Sequence, residues 1–547
     1  MNSTGSNNVA IGVSSLYKNT GGNFNIAIGE SALYENTTGS GNTAIGDLAL
    51  EKNTIGGDNT ATGYFALREN TTGINNTANG VFALRLNTTG NDNTASGKSA
   101  LYSNTTGNNN TANGRSALFL NTIGENNIAV GFQSLNSNSA GSNATAIGTN
   151  AMQNANNTTT AFINQNVAVG FEALRGSVTP SNNTGIFNTA IGYRSLLSNS
   201  TGIGNSAVGD RSLLSNTTGS FNNSYGYLSL TNNTTGSQNN AHGSEVLLFN
   251  TIGNDNSGFG YRALNGNSVG SNNSAFGNAS MLGNKSGSKN TAVGYRTLAQ
   301  QIFLNGGVAF DTNNVAIGYD ALYSNNPTTT ANGINNTAIG TFALTTNTTG
   351  FNNVAIGYQS LNNNSTGNAN IAIGYQAGFS ETGSNKLYIE NSNSVTPLIY
   401  GEFDNDLIRI NGKTEGIYTQ ITANGDGQSS IFGYRTRDSQ NDGTGYGRVT
   451  TNKAIGGHNY WGDLYTFGVA GHSDNDYSRT GGVLGSNTAG TYWSSLGYKN
   501  SASVTYGVYA TAALTVGTGR AAQPQNAFSI GGGFYGDMIG SWSKGTV

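Results

Sequence analysis

The stretch Asn93–Asn109, NTASGKSALYSNTTGNN, is followed at once by Asn110–Asn126, NTANGRSALFLNTIGEN, and this 17-residue period constrains the fold more than any other feature of the chain. Taking as marker the glycine that closes each N-T-A-I-G-like segment, the marks fall at 12, 29, 46, 63, 80, 97, 114, 131, 148, 170, 192, 209, 226, 243, 260, 277, 294, 318, 340, 357 and 374. Sixteen of the 20 intervals between these 21 marks are 17 residues; the others are longer, 22 twice in succession and then 24 and 22. Residues are inserted without resetting the phase, as expected of stacked rungs that contact only their neighbours.

The slots of the repeat differ in what they tolerate. Alanine recurs two residues before the marker, as in Ala27, Ala44, Ala61 and Ala95, and leucine four after it, as in Leu33, Leu50, Leu67 and Leu101. A small residue where backbones approach and a large one between rungs describe the packed interior of a narrow solenoid, so these are the expected structural core. The slot just before the marker runs Ile11, Ile28, Ile45, then Thr62, Asn79, Ser96, Asn113, then Val130 and Ile147, and so is not uniformly buried. Its polar members face either neighbouring subunits or trapped water. Segments such as ENTTGSGN, Glu35–Asn42, read as turns, with Gly and Asn where positive φ is cheapest. The many N-x-T and N-x-S triplets, formally glycosylation acceptors, are read as part of the same turn chemistry. Helix is disfavoured because Gly and Asn arrive every few residues and no 3.6-residue apolar stripe survives. Each unit therefore reads as two short strands and two turns, and the whole as an all-β parallel β-roll or β-solenoid whose 21 rungs, at about 4.8 Å each, form a rod of about 100 Å.

Composition bears on function. Only 9% of residues are charged, and 24 Lys plus Arg nearly balance 27 Asp plus Glu, so no basic field exists to attract nucleic acid. Low hydrophobicity (35%) with 80 Gly would suggest disorder, but a disordered chain has no reason to return Ala and Leu to fixed positions. The absence of cysteine removes disulfides and thiolate metal sites, and no apolar run is long enough to span a bilayer as a helix. Three His in all, with no G-x-S-x-G, P-loop or H-E-x-x-H, argue against an enzyme, and no cofactor is expected. The opening MNSTGSNNVAIG lacks the pattern of a secretory leader, so export is expected to be directed from elsewhere or by a leader outside this sequence.

The segments NNVAIG (Asn7–Gly12), FNIAIG (Phe24–Gly29) and FNTAIG (Phe187–Gly192) resemble the head repeats of YadA-like trimeric autotransporter adhesins. The resemblance covers about residues 1–378. It implies a left-handed parallel β-roll, three chains side by side as a homotrimer, and binding to host surfaces. The unit is longer here and carries the NTTG turn, so no adhesin binding residue is transferred.

After Gly374 the period breaks. LYIE (Leu387–Glu390), PLIYGEF (Pro397–Phe403) and LIRING (Leu407–Gly412) suggest a β-rich neck over 379–413. From 414 to 547 aromatics concentrate, and FGVAG (Phe467–Gly471), GGVLG (Gly481–Gly485), SLGY (Ser495–Tyr498) and YGVYA (Tyr506–Ala510) recur as a looser β repeat. This distal β domain, a candidate tip, is similar to the ends of phage tail fibres. Its final SWSKGTV offers no polar cap, and the native chain is expected to continue.

The best binding candidates lie in HNYWGDLY (His458, Tyr460, Trp461, Asp463, Tyr465), HSDNDYSR (His472, Asp474, Asp476, Tyr477, Arg479) and TYW (Tyr492, Trp493). Aromatic faces stack on sugar rings while the polar groups bond hydroxyls; the same aromatics equally suit the filling of a trimer core. Asp474 with Asp476, and Asp404 with Asp406, lack the acidic loop of a calcium site, so no metal is expected. The four insertions, 153–165, 175–187, 299–313 and 323–336, should project from corresponding corners; IFLNGGVAF (Ile302–Phe310) is the apolar one, a contact patch or a tolerated loop. The expectation is a trimeric adhesive fibre, extracellular, on a cell surface or virion, whose partner is a cell-surface glycan or other receptor. The alternative is a structural filament or sheath subunit with no ligand of its own.

Overall fold

The computed structural model describes residues 4–411 and, beyond them, the backbone of six strands. Over the first of these the chain is a parallel β-solenoid in which 22 short strands stack in one ladder, each rung about 17 residues long. Alanine pairs with alanine from rung to rung, as in Ala27 with Ala44 and Ala44 with Ala61. The phase survives the long units, because Ala146 pairs with Ala168, Ala168 with Ala190, and Ala292 with Ala316. No α-helix occurs among the described residues. Two short 3-10 turns, Pro180–Asn182 and Asn305–Gly307, lie within insertions. No helix of the described residues is long and apolar enough to cross a membrane.

Each rung has one three-residue strand rather than two strands. The rest of the unit is turn, yet its backbone still bonds from rung to rung: Leu33 N–H donates to Ala49 O at 3.0 Å and Thr37 N–H to Thr54 O at 2.8 Å. A second strand pair forms only where an insertion enters, Phe162–Ile163 on Gly141–Ser142 and Phe310–Asp311 on Gly287–Ser288.

The turns rest on left-handed residues other than glycine. In the rung closed by Gly29, Phe24, Ser31 and Leu33 have φ of 58°, 55° and 53°, and Gly29 itself 135°. A residue with a Cβ loses roughly 1–2 kcal/mol in this region, and branching at Cβ makes it worse. Across all 21 units none of these three slots holds Val, Ile or Thr, though those residues crowd the strand positions beside them. The core leucine therefore has two requirements to meet, apolar bulk and an unbranched Cβ. The marker glycine meets a third: a Cβ on Gly80 (φ +140°) would lie 2.7 Å from Gly97 O.

The interior is half apolar and half amide. Ala27, Leu33, Ala44, Leu50, Ala61, Leu67, Ala95 and Leu101 are wholly buried. So are two columns of asparagine, one including Asn36, Asn53, Asn70 and Asn87, the other Asn42, Asn59, Asn76 and Asn93. In the first, Asn36 Nδ2 donates to Asn19 Oδ1 at 2.8 Å and to Gly39 O at 2.9 Å. In the second, Asn42 N–H donates to Asn25 Oδ1 at 2.9 Å, and Asn25 Nδ2 reaches the same Gly39 O at 2.9 Å. A Cβ on Gly39 would lie 2.3 Å from Gly56 O, so only glycine fits where both ladders converge. The asparagines read from sequence as turn residues are thus buried beams of the rod, and the sequon Asn36 is out of reach of solvent. A buried amide is tolerated when bonded, and stacking identical units bonds most of these asparagines to the next, Asn347 with Asn364 being an exception.

The solenoid ends in a change of direction. Lys386–Ile389 adds a last parallel rung on Ile371–Ile373, with Tyr388 opposite Ala372, and then Ile399–Glu402 and Leu407–Ile410 follow antiparallel. In the asparagine slot of the preceding rung stands Glu381, which accepts the Tyr388 hydroxyl and the Gly383 N–H. Burial, then the Glu381 bond, push the Tyr388 phenol above its ordinary value.

The chain divides at Gly412, and the second unit runs from Lys413 to Val547. There Gly445–Gly447 pairs antiparallel with Gly457–Asn459. Thr480–Ser486, Tyr492–Lys499 and Thr505–Ala512 form an antiparallel meander, joined in parallel by Gly533–Tyr535. The repeated elements GGVLG, SLGY and YGVYA fall in the three meander strands; FGVAG lies outside the described residues.

Candidate functional site

Alternation fixes what each strand shows to solvent. With the central alanine inward, the residues one and three before the marker point outward and stack into two columns along the rod. The column just before the marker has three zones. Ile11, Ile28 and Ile45 open it, with Ile11 at 58% exposed. Thr62, Asn79, Ser96 and Asn113 follow, half-buried or exposed. From Val130 to Ile373 the next fourteen rungs carry Val, Ile, Tyr, His or Phe without interruption. Ile147, Ile191, Ile317, Ile356 and Ile373 remain between 36% and 40% exposed. A largely apolar stripe of this length, exposed or half-exposed at every rung, is a mark of an interaction surface.

Four rings at the middle of that stripe form a ladder. Tyr225, His242, Phe259 and Phe276 stack at centroid separations of 4.8, 4.8 and 4.9 Å with interplanar angles of 16°, 6° and 7°. Because each ring covers its neighbour's face, only the edges look outward. Stacking on a sugar ring is therefore blocked here, and the ladder suits packing against another apolar surface.

A different cluster lies between Tyr64 and Phe119. The Arg85 guanidinium sits 5.3, 5.5 and 5.5 Å from the rings of Phe65, Phe82 and Tyr102, donates to the Tyr102 hydroxyl, and leaves Nε buried without a partner. Arg68 faces Phe65 at 5.0 Å and pairs with Glu51 and Glu69 at 2.5 and 3.0 Å. Arginine held among aromatics is a common anchor of binding surfaces.

The long units interrupt the asparagine ladder. Asn138 and Asn284, the last members before each pair of insertions, have an Oδ1 without a partner, and Gln301, in the asparagine slot of the longest unit, has neither amide atom bonded. Beside the first pair, Met152, Asn156, Asn164, Asn183 and Asn199 line a cavity of about 20 Å³, room for one water. In the third insertion Ile302, Leu304 and Val308 stand 51%, 45% and 63% exposed. At the buried end of an ion-pair cluster, Glu172 takes Arg175 at 2.8 Å and Arg194 at 2.6 Å, and the Glu172 bond raises the Arg194 guanidinium above its ordinary value.

Of the distal candidates, His458 falls in the strand Gly457–Asn459, and Tyr492 and Trp493 begin the strand Tyr492–Lys499. Tyr460, Trp461, Asp463, Tyr465, His472, Asp474, Asp476, Tyr477 and Arg479 lie outside the described residues. Asp404 and Asp406 sit in the exposed turn between two strands, and no group of three or more His, Asp or Glu among the described residues is placed to hold a metal. Sequence reasoning missed the continuity of the outward column, although a signal was present in the slot before the marker, which from Val130 onward is apolar or aromatic at every rung but His242. Comparison with family models, with characterised proteins and with solved structures finds no match to this chain.

Proposed function

We propose that the chain is the subunit of a trimeric extracellular adhesive fibre, on a bacterial surface or a virion, in which the solenoid is the shaft and the distal region binds a surface receptor, a glycan first among the candidates. The observation that carries this reading is the outward apolar column from Val130 to Ile373, a face suited to lateral association along a stiff rod. Three copies of a weak site on one shaft gain affinity through effective concentration, so the shaft contributes reach and multivalency rather than chemistry. The repeat's resemblance to trimeric adhesin heads and the Trp- and Tyr-rich distal sequence support the same reading.

The test uses the full chain. Light scattering gives its mass, and binding is read on a glycan array and on whole cells, beside the double variant Trp461→Ala, Trp493→Ala. A trimeric mass with binding lost in the variant is expected. Binding retained by the variant moves the site to the shaft, where the Arg85 cluster is the next candidate. The second reading, a filament or sheath subunit, follows from the same column, since lateral packing requires no receptor; absent binding with concentration-dependent polymerisation in electron micrographs would establish it.

A further inference from the structure

A rod with a 17-residue period has a problem when it meets a copy of itself. Sliding one rod by a single rung restores nearly every contact, because each rung presents the same backbone and a similar outward strand. Repetition supplies surface but no address, and slippage is the expected failure of such surfaces.

Two interruptions of the outward column provide the address. The first is the polar block Thr62, Asn79, Ser96 and Asn113, bounded by Ile45 and Val130. In the neighbouring outward column the same rungs carry Thr60, Thr77, Thr94 and Thr111, so the strand face is polar throughout this zone. The second is the ring ladder Tyr225–Phe276, bounded by Val208 and Val293. In register, polar meets polar and ring meets ring. After a slip of one rung, Ile45 opposes Thr62, Asn113 opposes Val130, and the rings oppose valines at both ends of their ladder. A polar residue at a single position of an otherwise apolar seam fixes alignment in coiled coils by the same logic.

We propose that, when copies of this chain lie side by side on the outward strand face, the polar block at residues 62–113 together with the ring ladder sets their register. The inference rests on the lateral association proposed above and adds its alignment. The stretch from Val130 to Ile373 spans roughly 65 Å at about 4.8 Å per rung and about 10 Å across a three-residue strand, on the order of 650 Å², its second outward column being mostly Thr, Ser and Asn, from Thr145 to Thr337. That approaches the roughly 800 Å² per partner of a standard interface, and the Ile11–Ile45 zone adds to it. Orientation follows from the same zones. An antiparallel copy laid with its long apolar zone on itself leaves Ile11, Ile28 and Ile45 without a counterpart, whereas a parallel copy covers both apolar zones.

The chain has no cysteine, so single introduced cysteines report alignment without background. In the full chain, Ile147→Cys and Ile356→Cys, near opposite ends of the long apolar zone, should each form a disulfide with the same residue of another copy. Mixed Ile147→Cys and Val169→Cys chains, one rung apart, should give under a tenth as much of the mixed product. In a chain whose column is made uniform (Thr62→Ile, Asn79→Ile, Ser96→Ile, Asn113→Ile, Tyr225→Ile, His242→Ile, Phe259→Ile, Phe276→Ile), the mixed product should rise to match the same-residue product at unchanged oligomer mass. These positions point away from the core, and circular dichroism checks that the rung structure is kept. A mixed Ile147→Cys with Ile356→Cys product in place of the same-residue products would mean antiparallel copies and overturn the proposal. So would a uniform chain that still refuses the mixed product. An associated mass with any of these failures leaves the fibre reading standing; a monomeric native chain overturns both.

Discussion

The core leucine shows how much a single slot can demand. At φ of 52°, Leu67 is wholly buried and unbranched at Cβ, and the same slot accepts Met152 and Met281. Leu67→Met should therefore be mild, under about 1.5 kcal/mol, while Leu67→Ile, of equal volume, should lose about 2 kcal/mol to backbone strain. Hydrogen exchange of the rungs on either side measures both as local opening energies, and equal effects would mean that φ does not constrain the slot. The buried asparagines make a second demand. Asn87 donates to Asn70 Oδ1 and Gly90 O and accepts from Asn104 Nδ2, at 2.8, 2.9 and 2.7 Å. Asn87→Ala leaves those groups buried and unpaired, and about 2–4 kcal/mol of local stability should go with them. Asn87→Asp should be worse, since a carboxylate cannot donate to either acceptor and would be buried with its charge. The spacing of these asparagines was legible in the sequence, but their burial was not: an Asn beside Gly and Thr reads as a turn until the neighbouring rung supplies its partner.

An element here is a rung, and its boundaries are set by hydrogen bonding to its neighbours rather than by its own propensity. Deleting residues 81–97, one complete unit ending at a marker glycine, should leave a folded rod shorter by about 4.8 Å, visible by small-angle scattering. Loss of the far-UV signal would show that rungs are not interchangeable. The sequence predicts two strands per rung because turn residues separate two apolar positions. The structure has one, since the core leucine takes left-handed backbone and cannot continue a strand. The closing hairpin holds two of its carboxylates through hydrogen bonds. Backbone N–H groups of Asn391 and Leu398 hold the Glu390 carboxyl below its usual range, and the Tyr400 hydroxyl and Asn405 amide do the same for Glu402. Both are favoured as carboxylates in the folded state, so their contribution is complete above the ordinary glutamate value of 4.5 and is lost as pH falls through the lower folded values. Amide protection over 386–410 should accordingly fall in acid before that of the rungs around 94–118, which carry no carboxylate. Equal loss in both would assign the acid response to the rod as a whole.

For the whole molecule, the outward column decides between a solitary rod and an assembly. Ile317→Lys with Ile339→Lys places two charges in the apolar stripe without touching the core, and should shift the native mass toward monomer while the melting profile of the rungs is retained. An unchanged mass would put the contact on another face. Much about this protein was determined by the sequence alone: the period, the all-β class, the inward Ala and Leu slots, and the capacity to absorb insertions without losing phase. Those properties follow from repetition, because any residue returned every 17 positions must occupy equivalent space in a stack. The tertiary structure decided which asparagines are interior, why three slots exclude branched residues, and that rings at 225, 242, 259 and 276 stack face to face. Each of these depends on a neighbour one rung away, 17 or more residues distant along the chain but one hydrogen bond away in space, and a local reading of the sequence carries no information about that contact.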